Sequence, residues 1–227
     1  MERRLLMSEA ALVARRISSH CESTYVKYYI RGKVKTDPLY DGVYGELKNS
    51  DLPLLDIGCG MGVLAMYLRE RGWMNEVRGI DYDASKIRDG RKVLKRGGYA
   101  DISIVDGDAR VDLPECEGNV TILDILQFFS EKEQATLLKL AARRVAANGK
   151  LVIRSGLKDR SVRFYTTLAA DFFAKLSFWM MSAPVCYPGE SLFREVLGKE
   201  GFEVEIRPLW GRTPFNNFLI VGKRRGA

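Results

Sequence analysis

Leu54-Leu55-Asp56-Ile57-Gly58-Cys59-Gly60-Met61-Gly62 is the stretch that decides how this chain is read. A short strand-like run passes directly into a loop with glycine at every second position, and Val63-Leu64 then opens an amphipathic segment. Bare glycines at such a turn let a ligand lie against the main chain, because any Cβ there would hold it off. The dinucleotide spacing G-x-G-x-x-G needs glycine at position 63. Val63 stands there, and the third glycine comes one residue early, which disfavours a nicotinamide oxidoreductase.

Outward from this loop, short β-rich runs alternate with longer amphipathic segments, as in a parallel sheet with crossover helices. Strands are predicted at 52–57, 76–81, 101–106, 119–124, 150–155, 202–208 and 217–223. Helices are predicted from about 62 to 71, from Ala84 behind an Asp83 cap to Gly97-Gly98, and from Ser130 to Asn148-Gly149. The last begins with the capping box Ser130-x-x-Glu133. Positions 209–216 are too few for a helical crossover, so the final two strands must pair antiparallel as a hairpin. Two segments stand outside the alternation: 1–50, read as two helices with a Tyr-rich stretch, and the insert 156–188. Both are expected to cap the sheet's carboxyl edge.

The chain has 227 residues, 46% of them hydrophobic and 29% charged, enough for one sizeable core with decorations. Its formal charge of +7 favours an acidic partner in general but names none, since the basic residues are scattered. Cys21, Cys59, Cys116 and Cys186 form no C-x-x-C pair, which argues against a zinc site or disulfide framework and fits a reducing cytoplasm. Arg15 and Arg16 interrupt the first apolar stretch before it could serve as a secretory signal, and no apolar run is long enough to span a bilayer.

Acids recur where strands are predicted to end. Asp81 closes Gly79-Ile80-Asp81-Tyr82-Asp83, Asp106-Gly107-Asp108-Ala109 follows the third strand, and Asp124-Ile125-Leu126-Gln127-Phe128 follows the fourth. In open α/β sheets ligands bind at these carboxyl ends. The Asp-x-Gly-x-Gly-x-Gly loop with its acids resembles the class I methyltransferase family over roughly residues 52–155. That resemblance implies a Rossmann-like α/β fold: a seven-stranded, mostly parallel sheet with the last strand antiparallel and helices on both faces. Residues 1–50 then form an N-terminal helical cap, 51–227 the methyltransferase domain, and 156–188 a substrate lid within one folded unit.

The resemblance also implies S-adenosylmethionine as cofactor and S-adenosylhomocysteine as product. Asp56 is expected to reach the cofactor's ammonium, directly or through water, with Gly58 and Gly60 giving close approach. Asp81 is expected to accept from both ribose hydroxyls and Tyr82 to pack on adenine. Asp108 and the Ala109 amide are assigned to the adenine edge, and Asp124 with the Ile125 backbone to the aminoacyl end. No metal is expected. His20, the single histidine, is the candidate general base if the N-terminal lobe folds over the cofactor. Tyr25, Tyr29, Gln127, Phe128, Phe164 and Trp179 are candidates for the acceptor pocket.

Neither the Asn/Asp-Pro-Pro-Tyr segment of amide N-methylating enzymes nor the Pro-Cys pattern of cytosine C5 enzymes follows the fourth strand. The reading is therefore methyl transfer to oxygen or carbon of a small aromatic, polyketide-like or lipid-like acceptor, which may be carried on a protein or met at a membrane surface. An RNA methyltransferase and a non-catalytic S-adenosylmethionine-binding subunit are the alternatives.

Overall fold

In the computed structural model, residues 8–159, 161–176 and 184–226 are described, with the main chain alone over 170–176. Three helices, not two, precede the sheet: α1 (Glu9–Ser19), α2 (Thr24–Thr36) and α3 (Leu39–Leu47). Ser8 and Ser23 cap the first two, accepting from the Ala11 and Val26 amides. The added break has a local cause. Asp37, held extended before Pro38, ends α2, and its carboxylate accepts from the Leu39 amide to start α3.

Then follow β1 (Leu54–Ile57), α4 (Val63–Glu70), β2 (Val77–Asp81), α5 (Ala84–Gly97), β3 (Ile102–Asp106) and β4 (Asn119–Leu123). A 3-10 turn (Leu126–Phe128) leads to α6 (Glu131–Arg143), β5 (Lys150–Gly156), α7 (Val162–Leu176), α8 (Glu190–Lys199), β6 (Phe202–Pro208) and β7 (Asn217–Arg224). The sheet order is β3-β2-β1-β4-β5-β7-β6, and β7 runs antiparallel to both neighbours while the other pairs are parallel. The fold class expected from the sequence is the one found. α6 stops short of Asn148 because Val145 leaves the helix to bridge Gly118.

Alternating strand residues feed two cores. Leu54, Val77, Ile104, Val152, Leu219 and Val221 point to one face and meet α4, α5 and the three N-terminal helices. Leu55, Ile57, Val120, Ile122, Leu151 and Ile153 point to the other and meet α6 and α8. Val13 and Ile17 of α1, and Leu39, Val43 and Leu47 of α3, are fully buried in the first core. α1 and α3 are thus a layer of the fold rather than a detachable lid. At the N-terminal ends of the strands, Lys150 and Arg207 both bond Glu46 of α3.

Candidate cofactor and acceptor site

The glycine loop leaves β1 with Gly58 at φ 81°, Gly60 at 57° and Gly62 at 72°, the left-handed region that side chains avoid. The two glycines expected to admit the cofactor differ in what surrounds them. A Cβ on Gly58 would lie 2.5 Å from Ile125 Cγ2, so bareness there is needed for the β4 loop to close on β1. A Cβ on Gly60 meets nothing nearer than Lys86 Cδ at 4.0 Å, so that position faces open space. The sequence also conceals a supporting glycine. Gly90 of α5 lets the Met61 carbonyl approach to 2.5 Å of where its Cβ would stand.

Asp81 links the loop to β2. Its Oδ2 accepts from the Gly60 amide at 2.7 Å and its Oδ1 from the Asp83 amide at 2.9 Å, leaving further lone pairs on both oxygens for hydroxyl donors. Tyr82 beside it is 71% exposed and stands as an open ring at the strand end. Asp83 caps α5 as expected, accepting from the Ser85 and Lys86 amides.

Asp56 lies beneath the loop, 1% exposed, and accepts from Thr121 Oγ1 at 2.7 Å. Burial raises its carboxyl to about pKa 7, the Thr121 hydroxyl works against that, and the charge of Asp81 adds to it. A carboxylate in such a place calls for a cation. At the β3 end, Asp108 accepts from the Arg110 main chain at 2.9 Å and from its guanidinium at 2.6 Å, which holds its carboxyl below the usual range. The Ala109 amide has no acceptor among the described residues.

The β4 end differs from the sequence reading. Asp124 adopts φ 60°, and its carboxylate is gripped by two guanidinium nitrogens of Arg154 from β5. The remaining Arg154 nitrogen bonds Asp37 at 2.5 Å. Burial pushes Asp124 up, and the Arg154 charge and hydrogen bonds overcome it, so its carboxyl sits below the ordinary value. Arg154 is 4% exposed, making Asp37–Arg154–Asp124 a buried ionic triad that clamps the α2–α3 junction to the sheet's carboxyl edge. Sequence reading found Asp124 but neither partner, since the three lie in separate elements.

His20 is not brought to this edge. Crossover helices run back against their strands, so α4 and α5 end at the opposite edge of the sheet. There the His20 ring meets Tyr99 edge-on, 5.9 Å between centroids, and the Tyr99 hydroxyl bonds Glu70 at the end of α4. α4 alone separates that position from the glycine loop by about 12 Å. The correction follows from α1 packing along α4 instead of over the strand tips. Tyr25 also faces solvent, 61% exposed, whereas Tyr29 is half-buried and its charge bears on Tyr40, next to the triad.

Gln127 Nε2 donates to the Asp124 carbonyl at 2.9 Å, and its Oε1 is buried without a partner. The Gln127 carbonyl accepts from the Val185 and Cys186 amides, while Gln134 Nε2 ties together the Leu126, Phe129 and Cys186 carbonyls. The segment that re-enters at 184–188 is thereby fixed beside the β4 end. Phe128 is half-buried in the same turn. Phe164 of α7 is buried and meets Tyr187 edge-on at 5.4 Å. Trp179 lies outside the described residues. The 209–216 loop completes this side: Arg163 of α7 lies over Trp210 at 4.5 Å, and Trp210 Nε1 is buried without a partner. No sequence signal marked this loop, because its role depends on where the hairpin lands. Among the described residues no cluster of three or more metal-ligating side chains occurs.

Comparison with known proteins places this geometry. A methyltransferase-domain family model matches residues 54–149. Demethylmenaquinone methyltransferase of Bacillus velezensis is 29% identical over 100 residues, covering 43% of this chain and 42% of that protein. The chain thus matches less than half the length of that relative. Among solved structures, magnesium protoporphyrin IX methyltransferase (ChlM) from Synechocystis PCC 6803 with bound SAH superposes with a TM-score of 0.64 at 19% identity, over 96% of this chain and 95% of that one. The pyocyanin biosynthetic protein PhzM gives 0.66 at 18% identity, over 91% and 60%. At these identities the structural likeness is one of fold.

Proposed function

From the premise that residues 54–149 belong to the methyltransferase-domain family, we propose that the chain is an S-adenosylmethionine-dependent methyltransferase acting on a small, apolar, aromatic or lipid-like acceptor. The observation that carries the reading is the pairing of an open Gly60 main chain with two acids at successive strand ends, Asp56 and Asp81. Asp56 meets the ammonium and Asp81 the ribose hydroxyls. Tyr82 and the Ala109 amide receive the adenine, with Asp108 sharing its second oxygen between Arg110 and the exocyclic amine. With the Asp124 carboxylate already paired to Arg154, the main chain around Asp124 and Ile125 is left for the aminoacyl end.

When bound, the cofactor supplies a methyl group already activated on a sulfonium. This chain's task is then to align the acceptor and exclude water, a contribution of about 7–11 kcal/mol in favourable cases. Tyr29, Gln127, Phe128 and Phe164, with Tyr187 and Trp210, are the proposed wall of the acceptor side. The single histidine is at the far edge, Asp124 is held by Arg154, and Asp81 by two amides, so no strong base stands ready. That favours acceptors that give up a proton easily, such as phenols, hydroquinones, enols or carboxylic acids, over aliphatic alcohols. The two relatives whose names state an acceptor are a demethylmenaquinone and a magnesium protoporphyrin enzyme, both with apolar ring-bearing substrates.

Calorimetry with S-adenosylhomocysteine and with NAD tests the cofactor half. Binding of NAD in preference would overturn it. Transfer of labelled methyl to a panel of hydroxylated aromatics, matched against aliphatic alcohols and RNA, tests the acceptor half, and transfer confined to RNA would refute it.

A further inference from the structure

The rim around the acceptor side carries a surface that methyl transfer does not require. α2 contains Lys27, Arg31, Lys33 and Lys35 and no acid. Val26, Ile30 and Val34 are buried on its inner side, which turns Tyr25, Tyr28, Gly32 and Lys35 outward. Tyr28 is 67% exposed, a large ring given to solvent on a helix whose other side is fully packed. On α7, Val162, Tyr165 and Leu168 recur at three-residue spacing with exposures of 82%, 60% and 38%. Val185, held beside Gln127, is 66% exposed.

These stripes border one loop. Gly211 packs so closely on Pro38, at the α2–α3 junction, that its Cβ would lie 3.0 Å from Pro38 Cγ, and Thr213 O accepts from Arg163 Nη1 in the first turn of α7 at 2.7 Å. The neighbouring acids are engaged: Asp37 by Arg154, and Asp159 by the Ser161 amide and Asn216 Nδ2. The rim therefore presents cations, tyrosines and aliphatic side chains together.

We propose that this rim docks on an anionic lipid bilayer. Tyrosines suit the boundary between headgroups and acyl chains, aliphatic side chains enter the acyl layer, and unpaired lysines meet lipid phosphates. Single-stranded nucleic acid would use the cations and rings but gain nothing from Val162, Leu168 and Val185, which decides between the two. Docking is peripheral, since among the described residues no helix is long and apolar enough to cross a membrane. It would bring an apolar acceptor from the bilayer to the β4 and β5 ends without passage through water.

The test is co-sedimentation of the full chain, at low salt, with phosphatidylcholine vesicles and with vesicles that also contain phosphatidylglycerol. Binding is expected to the anionic vesicles and to weaken with salt. Lys27→Gln combined with Lys35→Gln should lower partitioning roughly thirtyfold, at the usual contribution of each surface cation. Tyr28→Ser with Val162→Ser and Tyr165→Ser should also lower it, with S-adenosylhomocysteine affinity unchanged in both sets. Absence of sedimentation by protein that binds S-adenosylhomocysteine overturns the proposal, as does equal binding to neutral vesicles or binding to polyuridylate alone. Because cofactor affinity is read separately, a failure of lipid docking is distinct from a failure of the methyltransferase reading.

Discussion

Replacing Asp56 by Asn tests the central electrostatic feature of the site. The carboxyl is 1% exposed with Thr121 as its hydrogen-bond donor, and burial lifts it from an ordinary 3.8 to about 7. A carboxyl raised on folding binds a proton in the native state that the unfolded chain has released. Stability therefore falls as pH rises from near 4 to near 7, by up to about 4 kcal/mol in all at about 1.4 kcal/mol per pH unit. About 2 kcal/mol of that fall lies between pH 5.5 and 8.5. The Asn variant keeps the Thr121 bond and loses the titration. Urea unfolding at the two pH values should show it gaining on the parent by about 2 kcal/mol at the higher one. With S-adenosylhomocysteine present the order should reverse at pH 8.5, because the ammonium stabilises the ionised parent and not the amide. The parent's affinity for that ligand should likewise weaken as pH falls below 7. Parallel pH profiles of parent and variant, with and without ligand, would refute both the buried charge and its assignment.

The glycine loop gives a paired prediction. Gly60→Ala should cost about 1–2 kcal/mol in stability, the penalty for a left-handed side chain, yet abolish measurable S-adenosylhomocysteine binding in calorimetry. Gly58→Ala adds a clash with Ile125 to the same penalty and should cost about 2–5 kcal/mol in thermal or urea unfolding. Asp81→Ala should weaken adenosine itself by about 3 kcal/mol if both ribose bonds are lost, and unchanged adenosine affinity excludes the role. Arg154→Met strands two buried carboxylates and should destabilise by about 3–5 kcal/mol in urea unfolding, with Asp37→Asn and Asp124→Asn together restoring most of it. A variant as stable as the parent would show that the triad does not hold α2 to the sheet.

The residues that spoke plainly in the sequence acted on near neighbours. The Ser130 and Glu133 capping box forms both its hydrogen bonds, Asp83 caps α5, and the short 209–216 connection forces the β6–β7 hairpin. Strand alternation placed the core, and glycines next to an acid at a strand end marked the crevice before any coordinates. These effects are set within a few residues or by the direction of a single strand.

What tertiary structure decided depends on which layers come to lie against each other. Nothing local shows that Gly58 yields to Ile125 while Gly60 faces open space, or that Asp124 spends its carboxylate on Arg154, 30 residues away and one strand over. His20 looks available in the sequence because its surroundings are unknown there. Once Val13 and Ile17 bury α1 alongside α4, that histidine is carried to the edge where helices end, with the whole α4 layer between it and the glycine loop.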